Sequence, residues 1–537
     1  MARPSFKPLT SQQSVLFPED IGSRIPDNHP VRLVDAVVNG LDINNILKKY
    51  KGGGTSSFHP RMMIKVLFYA YLSNIYSCRK IAKSLEENIY FMWLSGNSTP
   101  DFRTINYFRS KRIKNELQNL FGQIVLMLEE MGYISLDVQY IDGTKIEARS
   151  GKYTFVWRKS IEKNKAKLEK KIQTILTDIE TQTEQDKQEC KTPDQTPDPI
   201  DYDSLKEKLS KLNKSTKGKD KKTDRALKKL QEEHLPKLEQ YNQQLNDIGD
   251  RNSMSKTDKD ATFMRMKDDH MRNGQLKPGY NVQISTENQF ITQATLHQTP
   301  GDTTTLESHL NEFEENYSTQ SKNVVADAGY GSEQNYELLK GKNITPYVKY
   351  NYFHQNQKRS TKNNPFLVQN LHYNAEEDYF VCPMGQRMDN TGTFEKESAA
   401  GYISTITTYQ AQRCKGCPLR LMCHNSKTER VIQVNHRLNE LREEAKELLM
   451  SPQGVEYRKK RCIEPEAVFG QLKSNNNFNR FTFFGKSKVK MELLLMAIGH
   501  NLRKMAINQL EKVKSKINHY IASGQNIIVG STTVAAS

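Results

Sequence analysis

No apolar run of about 18 residues occurs anywhere in the chain, so the sequence offers no candidate membrane-spanning helix. The opening stretch, MARPSFKPLTSQQSVLFPED, lacks the apolar centre of a secretory signal. Both absences lead to the expectation of a cytoplasmic protein. Cysteine is sparse, with seven in 537 residues, and four of these lie between Cys382 and Cys423. In a reducing compartment such a cluster reads as metal ligands or free thiols, not disulfides. Negative charge is also the minority: 62 Asp and Glu face 79 Lys and Arg, a net charge of +17 with a pI near 9.2. That balance favours a polyanionic partner, nucleic acid first and an anionic membrane surface second.

The length is too great for one compact core and suggests roughly three or four units at about 150 residues each. Residues 60 to 131 carry apolar residues at helical spacing, as in PRMMIKVLFYAYLSN and SCRKIAKSLEEN, where Ser77 suits an N-cap and Ile81 and Leu85 share a stripe. The next stretch is studded with Arg103, Arg109, Lys111, Arg112 and Lys114. A helical module with this basic face is a candidate DNA-binding domain, and an ordinary solvated face is the plainer alternative.

In YIDGTKIEA, residues 140 to 148, the question is why an alternating apolar pattern should run into an aspartate followed by glycine. Ile134, Leu136, Val138 and Tyr140 have the period of two of a strand with one face buried, and Asp142 falls on that face at the expected strand end. A carboxylate there is costly unless something pairs with it. The plainer reading is an Asp-Gly turn. From Ile161 a coiled-coil rhythm continues through Leu168, Ile172, Ile175 and Ile179, and returns after a Pro-rich break in Leu205, Leu209, Leu212, Leu238, Tyr241 and Leu245. Between them, the 26 residues from Lys206 to Gln231 hold 11 Lys or Arg against 3 acids, a solvated tip or an arm for phosphates that includes Lys219, Lys221, Lys222 and Arg225.

Two strand patterns around TENQ predict a hairpin, and DTTTLESHLNEFEENY predicts a helix capped by Asp302 or a following Thr. NVVADAGYGSEQNYELLKGKNITPYVKY reads as strand, turn, helix and strand, hence a parallel pair with Asp327 at the first strand's end. The fold class is therefore α/β and multidomain, an RNase H-like mixed-sheet core with a helical N-terminal domain, a helical or coiled-coil insertion and a Cys-rich insertion. The expected divisions are 1–132, helical; 133–157 with 251–350, the first part of the core; 158–250, the basic insertion; 351–435, Cys-rich; 436–515, core helices; and 516–537, a tail.

Asp142 and Asp327 at neighbouring strand ends would repel unless a hard divalent cation lay between them, and Mg²⁺ takes such oxygen ligands together with phosphate. Two-metal catalysis asks for a third acid. In YRKKRCIEPEAVFGQLKSNNNFNRF, Pro465 suits the first helical position and places Glu466 in the first turn, with Gly470 and Lys473 at i+4 and i+7. Glu464 is the competing acid.

With YIDGTKIEA, NVVADAGYGS and EPEAVFGQLKSNNNFNRF followed by AIGHNLRKM in hand, the chain resembles a DDE transposase of a bacterial insertion sequence, in the subgroup with a Tyr, Arg, Glu, Lys signature. The resemblance implies Asp142, Asp327 and Glu466 as catalytic ligands of two Mg²⁺ ions, with Mn²⁺ as a substitute. It puts Tyr457 and Lys473 on DNA phosphates, with Arg461, or Arg458, as the signature arginine. It further implies cleavage of double-stranded DNA at terminal inverted repeats, joining of the 3′-OH ends to target DNA, a homodimer on DNA, and a nucleoid-associated place in a bacterial cytoplasm. A nuclease of the same fold without strand transfer and a non-catalytic DNA-binding regulator derived from a transposase are the rival readings.

Cys382 in YFVCPMGQ and Cys414, Cys417 and Cys423 in CKGCPLRLMC could form a structural zinc site, with His424 as an alternative to Cys423, in a region with little apolar sequence of its own. Four reduced cysteines are the plainer reading. Trp157 could stack on a flipped base near a DNA end, the plainer reading being an aromatic that closes a strand or anchors the insertion, and His500 reads as a packed helix histidine.

Overall fold

The computed structural model describes residues 20–50, 57–185, 221–266, 274–398 and 401–523. Most of the basic stretch from Lys206, and the tail beyond residue 523, therefore lie outside the described residues. The chain divides into two compact units, one comprising residues 1–135, 287–292 and 491–537, the other 136–286 and 293–490. Among the described residues no helix is long and apolar enough to cross a membrane.

The first unit is helical. Its centre is the Pro60–Leu72 helix, in which Met63, Ile64 and Val66 to Leu72 are all buried. Around it lie helices Pro30–Gly40, Cys78–Glu87, Ile89–Ser95 and Leu117–Glu130. Ile81 and Leu85 are buried as their spacing predicts, although Ser77 makes no side-chain cap. Arg109 is removed from the expected basic face. It is buried, and its guanidinium donates to Tyr71 Oη (3.1 Å) and the Tyr76 carbonyl (2.8 Å). Arg112 lies over the rings of Tyr50 and Tyr107. Asn501 closes both backbone positions of Ile291, and His500 Nε2 lies 2.9 Å from the Gln289 carbonyl oxygen, so His500 is a packed residue.

The second unit is built on a six-stranded sheet of order β4-β5-β1-β7-β8, with β6 on β5. The ranges are β1 Val138–Glu147, β4 Thr262–Arg265, β5 Leu276–Glu287, β6 Phe290–His297, β7 Asn323–Ala326 and β8 Thr345–Val348. Strands β1, β7 and β8 are parallel, and β5 is antiparallel to β1 and β4, which gives a mixed sheet consistent with an RNase H-like core. The β5–β6 turn has positive φ at both Asn288 and Gln289, the backbone that a two-residue hairpin requires. Alternation sorts the two faces. Ile141, Val324, Ala326 and Val348 pack with Leu306, Leu310 and Leu339, while Tyr140, Val325 and Tyr347 pack with Phe353, Leu449 and Tyr457.

Strands β2 (Phe155–Trp157) and β3 (Ser253–Ser255) form a separate pair, closed by the Trp157 ring against Phe155 and Phe263. Between β2 and β3, helices Arg158–Gln185 and Leu235–Ile248 run antiparallel. Ile161 shares a cluster with Ile248, and Leu168, Ile172 and Ile179 share another with Leu227, Leu230, Leu235 and Leu238. A second, antiparallel sheet of order β13-β12-β11-β10-β9 is formed by β9 His372–Asn374, β10 Tyr379–Val381, β11 Arg387–Glu397, β12 Ile403–Ala411 and β13 Val431–Val434. Contrary to expectation this region has a core of its own: Phe380, Met388, Tyr409, Ala411, Cys414, Ile432 and Val434 are buried together.

A polar seam crosses the interior of the larger unit. His309 lies 2.6 Å from Ser285 Oγ and 2.7 Å from Thr295 Oγ1, which also meets His297, and Ser285 donates to Gln139. Burial pushes His309 down to about 3 and, with Lys486 and Lys490 nearby, His297 down to about 4. The unfolded chain would protonate both near 6.5, so the stability they contribute is present above that pH and is lost as pH falls through the folded values. The melting temperature should fall between pH 7 and 4, less steeply in His309→Gln. Equal slopes would place the acid lability elsewhere.

Candidate active site

The parallel pairing of β1 with β7 ends at Ile141 and Ala326, so the next residue on each strand is an aspartate, Asp142 beside Asp327. The pairing of β7 with β8 ends at Val348, which brings Lys349 to the same level. Asp142 lies on the Tyr140 face, as the period of two predicts. The strand does not end there, however: β1 runs on to Glu147, with Asp142 opposite Ile284 and Gly143 opposite Gln283 in β5. Nor does it begin as early as Ile134, because Leu136 has φ +61.

The extension of β1 has a use. Its far end carries the segment that bears the third acid. The Glu147 amide donates to the Asn479 carbonyl, the Phe481 amide donates to the Glu147 carbonyl, and Arg480 donates to the carbonyls of Ala148 and Ser150. Upstream, Pro465 opens the Pro465–Gly470 helix with Glu466 in its first turn. The helix then passes into a π-helical turn, Gln471–Asn475, a feature frequent at functional sites. Lys473 lies in that turn and donates to Thr144 Oγ1 (2.6 Å) and the Lys145 carbonyl (3.1 Å), two and three residues beyond Asp142.

Arg461, the last residue of the Pro452–Arg461 helix, reaches all three acids. Its Nη2 is 3.2 Å from Asp327 Oδ2 and 3.8 Å from Asp142 Oδ2, and its Nη1 is 3.6 Å from Glu466 Oε1. The Arg461 side chain is 8 % exposed and that of Asp142 10 %, whereas Asp327 and Glu466 are open at 42 % and 53 %. Arg458, the other candidate arginine, lies over the Phe353 ring. Glu464 is buried at the N-cap of the Pro465–Gly470 helix. Tyr457 stands edge-on between Tyr140 and Tyr347, and its hydroxyl accepts from Gln453 Nε2 (2.8 Å).

Two neighbours escaped the sequence reading. Asp302, expected as a helix cap, instead accepts through Oδ1 from Asn281 and Gln283, both at 2.8 Å. Gln283 in turn accepts from the buried Tyr330 hydroxyl. A Cβ at Gly143 would stand 2.6 Å from Asp302 Oδ1, so the glycine after Asp142 leaves room for that carboxylate beside β1. Lys349 is the other. Burial and the adjacent Arg461 hold its ammonium below the usual lysine range. Its signal was available only as register, one place beyond β8.

The four cysteines line one small cavity of about 20 Å³, together with Phe366, His424 and Arg430. Cys382 and Cys414 each begin a tight turn with a glycine at φ +78, at Gly385 and Gly416. Arg430 Nη1 donates to Cys423 Sγ (3.0 Å), and the Cys414 amide donates to Glu429. Burial pushes the Cys414 thiol up. Among the described residues no group of three or more His, Cys, Asp or Glu side chains is gathered closely enough to hold a metal ion, here or at the acids. At the acids the donor chemistry nevertheless fits a hard cation: three carboxylates surround one positively charged group and present no softer ligand.

Residues 381–506 match the family described as Transposase DDE domain, and residues 19–111 match the Transposase domain (DUF772) family. Comparison with curated proteins and with solved structures gives no match. The first match includes Glu466 and Arg461 but neither aspartate, which the sheet register supplies independently. Taken with the mixed sheet, the two matches support a transposase of the DDE type.

Proposed function

We propose that this chain cleaves double-stranded DNA at the terminal inverted repeats of an insertion sequence and joins the 3′-OH ends to target DNA. The observation that carries the reading is the meeting of Asp142, Asp327 and Glu466, from three separate segments, around one cationic position. These three would hold divalent cations, Mg²⁺ or Mn²⁺, which when bound lower the pKa of the attacking water and offset charge on the leaving oxygen. Asp142, nearly enclosed and fixed by the Gly143 amide (2.8 Å), supplies the rigid side of the site. Asp327, fixed by the Gly329 amide (2.8 Å), and Glu466 supply its open side, where a phosphate could enter.

Lys473, anchored on Thr144, orients its charge along β1 toward the scissile phosphate. Tyr457 sets the wall of the crevice through its ring contacts, with its hydroxyl directed to DNA, and Arg461 is the signature arginine beside it. Two element ends need two sites, so the DNA-bound form is a homodimer in a bacterial cytoplasm. A labelled duplex carrying the repeats that flank the coding region should be nicked at the repeat boundary in Mg²⁺ and left intact in EDTA. Tight binding without cleavage in either Mg²⁺ or Mn²⁺ would replace this reading with a DNA-binding regulator. Cleavage without joined products would leave a nuclease.

The same proposal assigns Cys382, Cys414, Cys417 and Cys423 to a structural Zn²⁺ that would draw the four thiolates together on binding, supported by the common cavity and the two glycine turns. Purified protein should contain about one zinc per chain, and Cys414→Ser should lose it together with thermal stability. A zinc-free parent that melts as sharply as a zinc-supplemented one would remove the assignment.

A further inference from the structure

Arg461 presents an electrostatic problem of its own. An arginine whose side chain is only 8 % exposed must be paired, and this one faces three carboxylates at 3.2 to 3.8 Å, while its Nε has no hydrogen-bond partner among the described residues. Asp142 and Asp327, side by side in the sheet, would repel each other without a cation between them. The planar fork of arginine is suited to engaging several carboxylates at once. It also stands between them, each carboxylate lying 3.2 to 3.8 Å from one of its nitrogens. A divalent cation on the same oxygens would carry like charge into the same place, so the two compete.

We propose that Arg461 is a resident counter-ion of the acid trio. It holds Asp142, Asp327 and Glu466 in position before metal binds and leaves that position on loading, which frees the guanidinium for a DNA phosphate. The inference rests on the proposed function and adds its regulation: metal and DNA help each other because both draw on the same displacement of Arg461. Arg461 thus acts as a positioning residue through the carboxylates. Reciprocity follows, with DNA raising metal affinity by the factor by which metal raises DNA affinity.

The test is Mn²⁺ binding to the full chain, followed by calorimetry or by the loss of the free-ion resonance, with and without duplex. Arg461→Gln should bind Mn²⁺ about tenfold more tightly than the parent without DNA, within the usual range for coupled ligands, and should gain little when DNA is added. The parent should gain about tenfold from DNA. Without metal, Arg461→Gln should melt lower than the parent and be raised more by Mn²⁺. Arg461→Lys, which keeps the charge without the fork, should lie between them, and provides the comparison if the glutamine variant does not fold without metal. Asp142→Asn is the control for the site. If it loses Mn²⁺ binding while Arg461→Gln binds no more tightly than the parent, the acids stand and the counter-ion role is overturned. Absence of Mn²⁺ binding in every folded protein would overturn both.

Discussion

Asp142→Asn should lower metal-dependent nicking by about 10³-fold or more, equivalent to roughly 4 kcal/mol of lost transition-state stabilisation, while DNA binding persists. The substitution is nearly isosteric, and the amide oxygen can still accept from the Gly143 backbone. Arg461 keeps its contacts with Asp327 and Glu466, so the fold around the site should hold. What disappears is one negative charge on the most enclosed of the three acids. Glu466→Gln should behave alike. Glu464→Gln, at the helix N-cap two residues earlier, is the matched substitution of the competing acid and should retain cleavage near the parental level. The comparison decides between the two glutamates that the sequence left in competition. Parental cleavage in Asp142→Asn would end the catalytic assignment, whatever the DNA affinity.

The legible parts of this site are those set by local pattern. Alternation of Val138 and Tyr140 places Asp142 on a buried face, because strand side chains alternate irrespective of what lies beyond, and the apolar run Val324, Val325, Ala326 marks a strand that stops at Asp327. Pro465 likewise marks a helix start through its own backbone. The length of β1 was not legible. Gly143, Thr144 and Lys145 have no strand pattern of their own, and they are extended because β5 pairs with them.

The roles of single charged residues were harder still. Arg109 and Arg461 both sit in Lys- and Arg-rich stretches that suggest DNA contacts, yet one is bonded inside a helical core and the other is enclosed by acids. Their direction depends on distant partners, Tyr71 in one case and two strand ends in the other. Asp302 illustrates the same limit. Its sequence neighbours fit a helix cap, but Asn281 and Gln283, 21 and 19 residues earlier, take its carboxylate. The apolar rhythm from Leu168 to Ile179 was readable because both helices of that pair carry it, and each buries the other's stripe.

Gly331→Ala should reduce cleavage by about 10²-fold, although the residue touches no substrate, because displacements near 1 Å at a reacting centre have that effect. Gly331 lies in the turn from Asp327 to Ser332, where the chain passes against β8's exit. A Cβ there would collide with the Lys349 carbonyl oxygen and stand 2.9 Å from Tyr350 Cα, both of them backbone. No positive φ is involved, so the effect is steric alone. Neither side can yield freely: Tyr330 is buried with its hydroxyl on Gln283, and Ser332 caps the Glu333–Gly341 helix through the Asn335 amide. The turn must therefore lift from β8 and take Asp327 away from Asp142 and Arg461. Overpacking of this kind costs about 1 to 3 kcal/mol, so a lower melting temperature should accompany the lost rate. Gly301→Ala is the matched control, since a Cβ at Gly301 meets nothing within 4 Å, and it should leave both quantities unchanged. If Gly331→Ala cleaves within twofold of the parent, the spacing of the two strand ends is not what sets the geometry of the acids.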